Sequence, residues 1–264
     1  LNPTPLATWG QQPRKPSLKG KDAVGMTKVH VESLARRGLL HSFPDRATLN
    51  AALAEAMSHT LQSAIAENQR ASVAFSGGST PAPMLQQLSA AAINWKNLSV
   101  TLVDERWVET SHVDSNEAQL RKSLIHGAAS ALTFIGLKAD HPTPEKALAT
   151  VNRHLDALSW PLDCVHLGMG SDGHTASWFA DADEYARAIN PTHSQRVVAL
   201  NPHAAPHPRI SLSASAILTA KSIFLHITGD EKLEVLKRAV NGDKTLPIAV
   251  ALSTATPVNI YWAP

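Results

Sequence analysis

A three-layer α/β fold, with a mostly parallel twisted sheet and helices on both faces, is the architecture this sequence predicts. Three observations carry it. Short apolar runs alternate with segments of helical period along most of the chain. The strand-like runs end in glycine-rich or charged turns and lead into helices, as parallel strands joined by crossovers require. The 264 residues are 44% apolar, enough to fill a core without disulfide or metal staples.

Residues 1–25 stand apart, with four prolines, three glycines and no apolar period. They read as a flexible leader, ordered only if they dock on the body, with Met26 a plausible natural start. Residues 26–264 read as a single α/β domain. Leu49, Leu53, Met57, Leu61 and Ile65 recur every four residues and predict a helix from Asp45 to near Asn68, capped by Asp45 or Thr48. Ser72–Phe75 follows as a buried strand, then a glycine turn and a short helix carrying Met84, Leu85 and Leu88. Ser99–Val103 is the next strand, ending at Asp104-Glu105-Arg106. A helix over Asn116–Ile125, a possible strand over Thr133–Leu137 and a helix over Glu145–Leu158 come after it. Cys164–Leu167 is a strand entering a second glycine turn. Val197–Leu200, Ser222–Ile227 and Val258–Trp262 are further strands, and Asp230–Val240 is a helix with Leu233, Leu236 and Val240 inward.

Charge excludes several functions. Lys plus Arg number 24 against 22 Asp plus Glu, a net charge of +2, which is no basis for a nucleic-acid coat. No apolar run approaches the roughly 18 residues of a membrane span. The single cysteine, Cys164, permits no intramolecular disulfide and points to a reducing cytoplasm. A small molecule is the expected partner, not nucleic acid or membrane, and the expected state is a monomer or weak homo-oligomer.

In open α/β sheets ligands sit beyond the carboxyl ends of strands, so chemistry is sought just after the apolar runs. At Ser76-Gly77-Gly78-Ser79-Thr80, glycines and hydroxyls before a helix fit either a phosphate cradle or a capped tight turn. It lacks the lysine of a Walker loop. Asp104-Glu105-Arg106 fits either a ligand-facing rim, with Arg106 forking onto phosphate, or a salt-bridged loop. Gly168-Met169-Gly170-Ser171-Asp172-Gly173 formally matches the dinucleotide fingerprint. The stretch about 20 residues on, Asp181–Asn190, is polar rather than an acidic strand end, so that context fails. The remaining possibilities are that the turn presents Asp172 and His174 as an acid-oriented base, or that His174 is structural.

Four strings in one order resemble the glucosamine-6-phosphate isomerase/6-phosphogluconolactonase family. They are Phe75 to Pro81 (FSGGSTP), Asp104 to Val108 (DERWV) with His112 and Asp114-Ser115-Asn116, Gly168 to Ser177 (GMGSDGHTAS), and Pro208 to Leu212 (PRISL). The resemblance covers about Arg46 to Trp262. It implies a modified Rossmann-like sheet of the sugar-phosphate isomerase type. It also implies hydrolysis of 6-phospho-D-glucono-1,5-lactone to 6-phosphogluconate in the pentose phosphate pathway, with no cofactor and no metal. By that likeness His174 takes a proton from the attacking water and Asp172 orients it. Ser76, Gly77, Gly78, Ser79, Thr80, Arg106 and Arg209 grip the phosphate, Asp104 lies near the sugar, and Gly170 lies in the turn whose amides are candidate oxyanion donors.

This chain departs from the family pattern twice. Ser177-Trp178-Phe179-Ala180-Asp181 replaces a turn with Pro and Gly, and the segment Asn201 to Arg209 (NPHAAPHPR) lacks the usual lysine, whose place His203 or His207 would take. The nearest rival, a glucosamine-6-phosphate deaminase, resembles proteins with a glutamate five residues after the motif histidine, where this chain has Phe179. A sugar-phosphate sensor would need a helix-turn-helix, and the proline-broken start supplies none. A metal hydrolase on His203 and His207 would need a helix that Pro206 and Pro208 forbid.

Overall fold

The computed structural model describes residues 39–264; the expectations for residues 1–25 and Met26 fall outside them. Ten strands are present among the described residues: β1 (Leu40–Ser42), β2 (Ala71–Phe75), β3 (Leu98–Leu102), β4 (Asp104–Arg106), β5 (Thr133–Phe134), β6 (Cys164–Gly168), β7 (Val197–Leu200), β8 (Arg209–Leu212), β9 (Ile223–Thr228) and β10 (Val258–Ala263). The helices that matter below are α1 (Arg46–Asn68), α2 (Ala82–Ser89), α3 (Asn116–Ser123) and α4 (Pro144–His154). Beyond the short α5 (Tyr185–Ala188) and α6 (Ala214–Ile217) come α7 (Asp230–Val240) and α8 (Ile248–Leu252).

Seven strands form one sheet in the order β1-β10-β9-β6-β2-β3-β5, every pair parallel. Helices cover it, giving the three-layer α/β fold expected. The central strands β2 and β6 are almost wholly buried, which is why they read as continuous apolar runs rather than as alternation. Along α1 the residues spaced by four, Leu49, Leu53, Met57 and Leu61, are fully buried. Asp45 caps it through its side chain on the Thr48 amide, and Gln69, in the left-handed conformation, ends it.

From β2 the chain moves one way, to β3 and β5; from β6 it moves the other, to β9 and β10. The sheet therefore has its switch point between β2 and β6, and a crevice opens beyond their carboxyl ends. Both glycine turns emerge there. The Ser76 hydroxyl straddles the crevice, donating to the His166 carbonyl at 3.1 Å and accepting the Gly168 amide at 3.0 Å.

Asp104-Glu105-Arg106 is a strand and not the salt-bridged loop that is one of its two readings in the sequence. These residues are β4 of a second, antiparallel sheet ordered β4-β8-β7. The chain leaves the main sheet at Val103, whose amide still bonds the Phe75 carbonyl while its own carbonyl takes the Leu212 amide. Strand alternation then sends Glu105 to one face and Asp104 and Arg106 to the other. Arg106 lies opposite Arg209 in the ladder, and Asp104 opposite Ser211. Smaller differences concern element length. The strand expected over Thr133–Leu137 is two residues long, and the helix expected to Leu158 gives way at Leu155 to a 3-10 turn.

Candidate active site

The crevice widens into a cleft of about 610 Å³ whose lining includes Ser76, Gly77, Gly78, Thr80, Asp104, Arg106, Gly170, Asp172, His174 and Arg209. Of the residues expected to bind, Ser79 alone is outside that lining, and it is exposed.

The cleft holds a carboxylate–imidazole pair. Strand β6 ends at Gly168, and the turn behind it closes through Gly170 N–H to the His174 carbonyl and Gly173 N–H to the Gly170 carbonyl. Gly173 has a φ of +81°, and Leu246 packs beneath it. Asp172 Oδ1 accepts from His174 Nδ1 at 2.6 Å and from the His174 amide at 3.1 Å. The hydrogen bond from the ring holds the Asp172 carboxyl below its ordinary range, against the opposing effect of burial. An ionised carboxylate only accepts, so Nδ1 carries the proton and Nε2 its lone pair. The ring lies against Phe179, centroids 4.1 Å apart and nearly parallel. A Cβ on Gly170 would overlap both the His174 ring and the Asp172 carboxylate, so only glycine leaves the pair room.

The same cleft holds two guanidinium groups, that of Arg209 lying over the Phe179 ring 5.6 Å from its centroid. Arg106 Nη1 donates to the Asp114 carbonyl at 2.7 Å and Arg209 Nη2 to the Pro206 carbonyl at 3.1 Å. The Nε atoms of both are buried with no hydrogen-bond partner among the described residues. Leaving buried charged donors unpaired costs about 1–3 kcal/mol or more each, a cost that a bound anion would remove. Burial also lowers the pKa of Arg209.

Asp104 braces the cleft wall. Its Oδ2 accepts from Ser177 Oγ at 2.6 Å, and Asn116 Nδ2 donates to its backbone carbonyl at 2.9 Å. Two separate motif strings are thereby tied at one residue. The glycine loop is less open than a free phosphate cradle: Gly78 N–H is engaged by Gln119 Oε1 at 2.9 Å, and the Ser76 hydroxyl by its strap across the crevice. Gly77 is required because a Cβ there would overlap the Asn116 side chain.

Neither His203 nor His207 lines the cleft, so the expectation that one replaces a lysine there does not hold. His207 turns instead to Asp114, its Nε2 2.9 Å from Oδ2. A lysine does line the cleft. Lys232, in the first turn of α7 just past β9, reaches it half-buried, and burial lowers its pKa. Sequence reasoning passed over it, although it follows a strand end as the chosen residues do. His166 and His226 also line the cleft, one ring against the other with nitrogens 3.4 Å apart. Inside apolar runs they read only as core. Glu105 was singled out for nothing, yet its buried carboxylate accepts the amides of Arg106, Asn116 and Glu117 and the Ser115 hydroxyl. Burial raises its pKa against the lowering effect of those amides.

The model of the family described as glucosamine-6-phosphate isomerases/6-phosphogluconolactonase matches residues 44–262. The chain belongs to that family. Among family members, the 6-phosphogluconolactonase of Mesorhizobium japonicum is 40% identical over 225 residues, 85% of this chain and 94% of that protein. That of Pseudomonas putida is 34% identical over 245 residues, 93% of this chain and 100% of that protein. A crystal structure of a 6-phosphogluconolactonase from Shewanella baltica superimposes with a TM-score of 0.83 at 40% identity, covering 86% of this chain and 97% of that one. The family fold extends to a monomeric glucosamine-6-phosphate deaminase, at a TM-score of 0.65 and 18% identity over 85% of this chain and 96% of that one.

Proposed function

We propose that this protein is a 6-phosphogluconolactonase, hydrolysing 6-phospho-D-glucono-1,5-lactone to 6-phospho-D-gluconate in the oxidative pentose phosphate pathway. One observation carries the reading: a single cleft holds an oriented imidazole together with two guanidinium groups that have unpaired buried donors. The relatives named above support the same substrate.

In the reaction the phosphate docks on Arg106 and Arg209. That anchorage holds the lactone carbonyl toward His174. Nε2 takes a proton from water as its oxygen bonds to the carbonyl carbon, and Asp172 stabilises the imidazolium that forms. The tetrahedral oxyanion collapses, the ring C–O bond breaks, and the imidazolium returns the proton to the leaving ring oxygen. The product is an open-chain carboxylic acid that ionises in water. Of the expected oxyanion donors, the amides of Gly168, Gly170 and Gly173 are already bonded within the protein, so any donation from this turn falls to its other amides. At the position five after His174, Phe179 stacks on the base and brings no carboxylate for an isomerase-type proton relay. The substrate is a small sugar phosphate rather than a nucleic acid, and the setting is the cytoplasm. Two facts are in keeping: Cys164 is a free buried thiol, and no helix among the described residues is long and apolar enough to cross a membrane.

The test is turnover of freshly generated 6-phosphogluconolactone beside glucosamine 6-phosphate, above spontaneous hydrolysis. His174→Ala should lose about 10²–10⁴-fold in kcat with its circular dichroism unchanged. Arg209→Ala should chiefly raise KM, by roughly tenfold or more. Wild-type turnover in folded His174→Ala would end the assignment of the base.

A further inference from the structure

His112, Asp114 and His207 form a cluster that the lactonase chemistry does not use. They come from two loops: the turn ahead of α3, and the segment leading into β8. One nitrogen or oxygen from each lies within 4.8 Å of the others. Asp114 Oδ2 is 2.9 Å from His207 Nε2 and 3.8 Å from His112 Nδ1. His112 Nδ1 accepts the Asp114 amide at 3.1 Å, so that nitrogen bears a lone pair. That bond occupies the nitrogen's one lone pair, so a cation bound at Nδ1 would displace the Asp114 amide. Ligand atoms around a tetrahedral zinc, with bonds near 2.0–2.1 Å, stand roughly 3.4 Å apart. The two separations from Asp114 bracket that value, and all three ligand atoms lie within 4.8 Å of one another. His207 lies between Pro206 and Pro208 with a φ of 69°, so a stiff segment aims its ring.

Two imidazoles and one carboxylate suit a borderline transition ion rather than magnesium or calcium, which prefer oxygen donors. The same two loops orient the two guanidinium groups of the cleft. Arg106 is bonded to the carbonyl of Asp114 itself, and Arg209 to the carbonyl of Pro206, the residue before His207. An ion joining the loops would fix both carbonyls. It would also take over Asp114 as counter-charge from the two guanidinium groups, which feel its field now. We propose that His112, Asp114 and His207 bind one divalent transition ion of the zinc type, and that its occupancy tightens the grip of Arg106 and Arg209 on a phosphate. The ion site stands on its own geometry; the coupling rests on the proposed function, through the phosphate it names.

Calorimetric titration of zinc into the tag-free, chelator-treated full chain tests the site. One equivalent should bind, and His112→Ala and His207→Ala should each weaken it about tenfold or more while circular dichroism stays native. No binding, or binding unchanged in both variants, overturns the site. Titration of 6-phosphogluconate tests the coupling: affinity should rise about fivefold with zinc present, and His112→Ala should abolish the rise. Equal affinity with and without zinc overturns the coupling. Failure of 6-phosphogluconate to bind the zinc-free wild type would count against the lactonase reading and leave the ion site standing on the zinc titration.

Discussion

Gly170 bears on the proposed base through the room it leaves. Its missing side chain is the space in which the His174 ring and the Asp172 carboxylate meet. Phe179 stacks on the ring. The imidazole is thus held by packing as well as by charge, and its orientation is fixed before a lactone arrives. Gly170→Ala asks for no left-handed backbone, since Gly170 is not among the positive-φ glycines. It should therefore fold, displace the ring and lower kcat about 100-fold, leaving KM for the lactone within a fewfold. Steady-state kinetics on the lactone check this, and wild-type kcat in the alanine variant would show that the ring does not need its present position.

At the scale of elements, what β4 holds in place is the N-terminus of α3. Glu105 points away from the cleft and gathers the amides at the start of that helix, while Ser115 caps it by accepting the Ala118 amide at 3.1 Å. Asn116, so placed, braces Asp104, and Asp114 just ahead of it carries the carbonyl that holds Arg106. Glu105→Gln would set an amide NH₂ against donors in a buried pocket. It should cost about 3 kcal/mol in urea denaturation and raise KM through the loosened arginine. A variant as stable as wild type would show that the carboxylate is dispensable. Elements like this one mark the limit of what the sequence makes legible. Helix α1 is plain from its period and its Asp45 cap, and β2, β6 and β9 from apolar runs fit for two-sided burial. The three-residue β4 is not, because charge there reads as loop and only pairing with β8 makes it a strand. The site divides in the same way. His174, Asp172, Arg106 and the glycine turns follow apolar runs and stand out. Lys232 sits in an ordinary amphipathic helix, and His207 reaches Asp114 across 93 residues of chain, a contact that no local pattern contains.

The whole molecule is tied to pH through the floor of its cleft. His166 and His226 sit on adjacent central strands, 0% and 2% exposed, and His166 Nδ1 and His226 Nε2 have no partner among the described residues. Burial pushes the His226 pKa down to about 4, with the Lys232 charge adding to it, and pushes His166 well below its ordinary value. In the unfolded chain both imidazoles titrate near 6.5. Between about 6.5 and about 4 the unfolded chain takes up protons that the fold refuses, so stability is fully present above that window and lost as pH falls through it. For His226 alone the loss comes to about 3 kcal/mol. The carboxylates with depressed values, such as Asp114 and Asp172, begin to cost stability only near and below their unfolded values, around pH 4. Glu105, with its raised value, works the other way and offsets part of the loss near the acid end. Urea denaturation should thus show wild type several kcal/mol weaker at pH 4.5 than at pH 7. His166→Leu with His226→Leu, which fills the same volume without a proton site, should flatten that slope. Equal stability of the wild type at the two pH values would mean that the buried rings find proton acceptors or water that the closed floor does not offer.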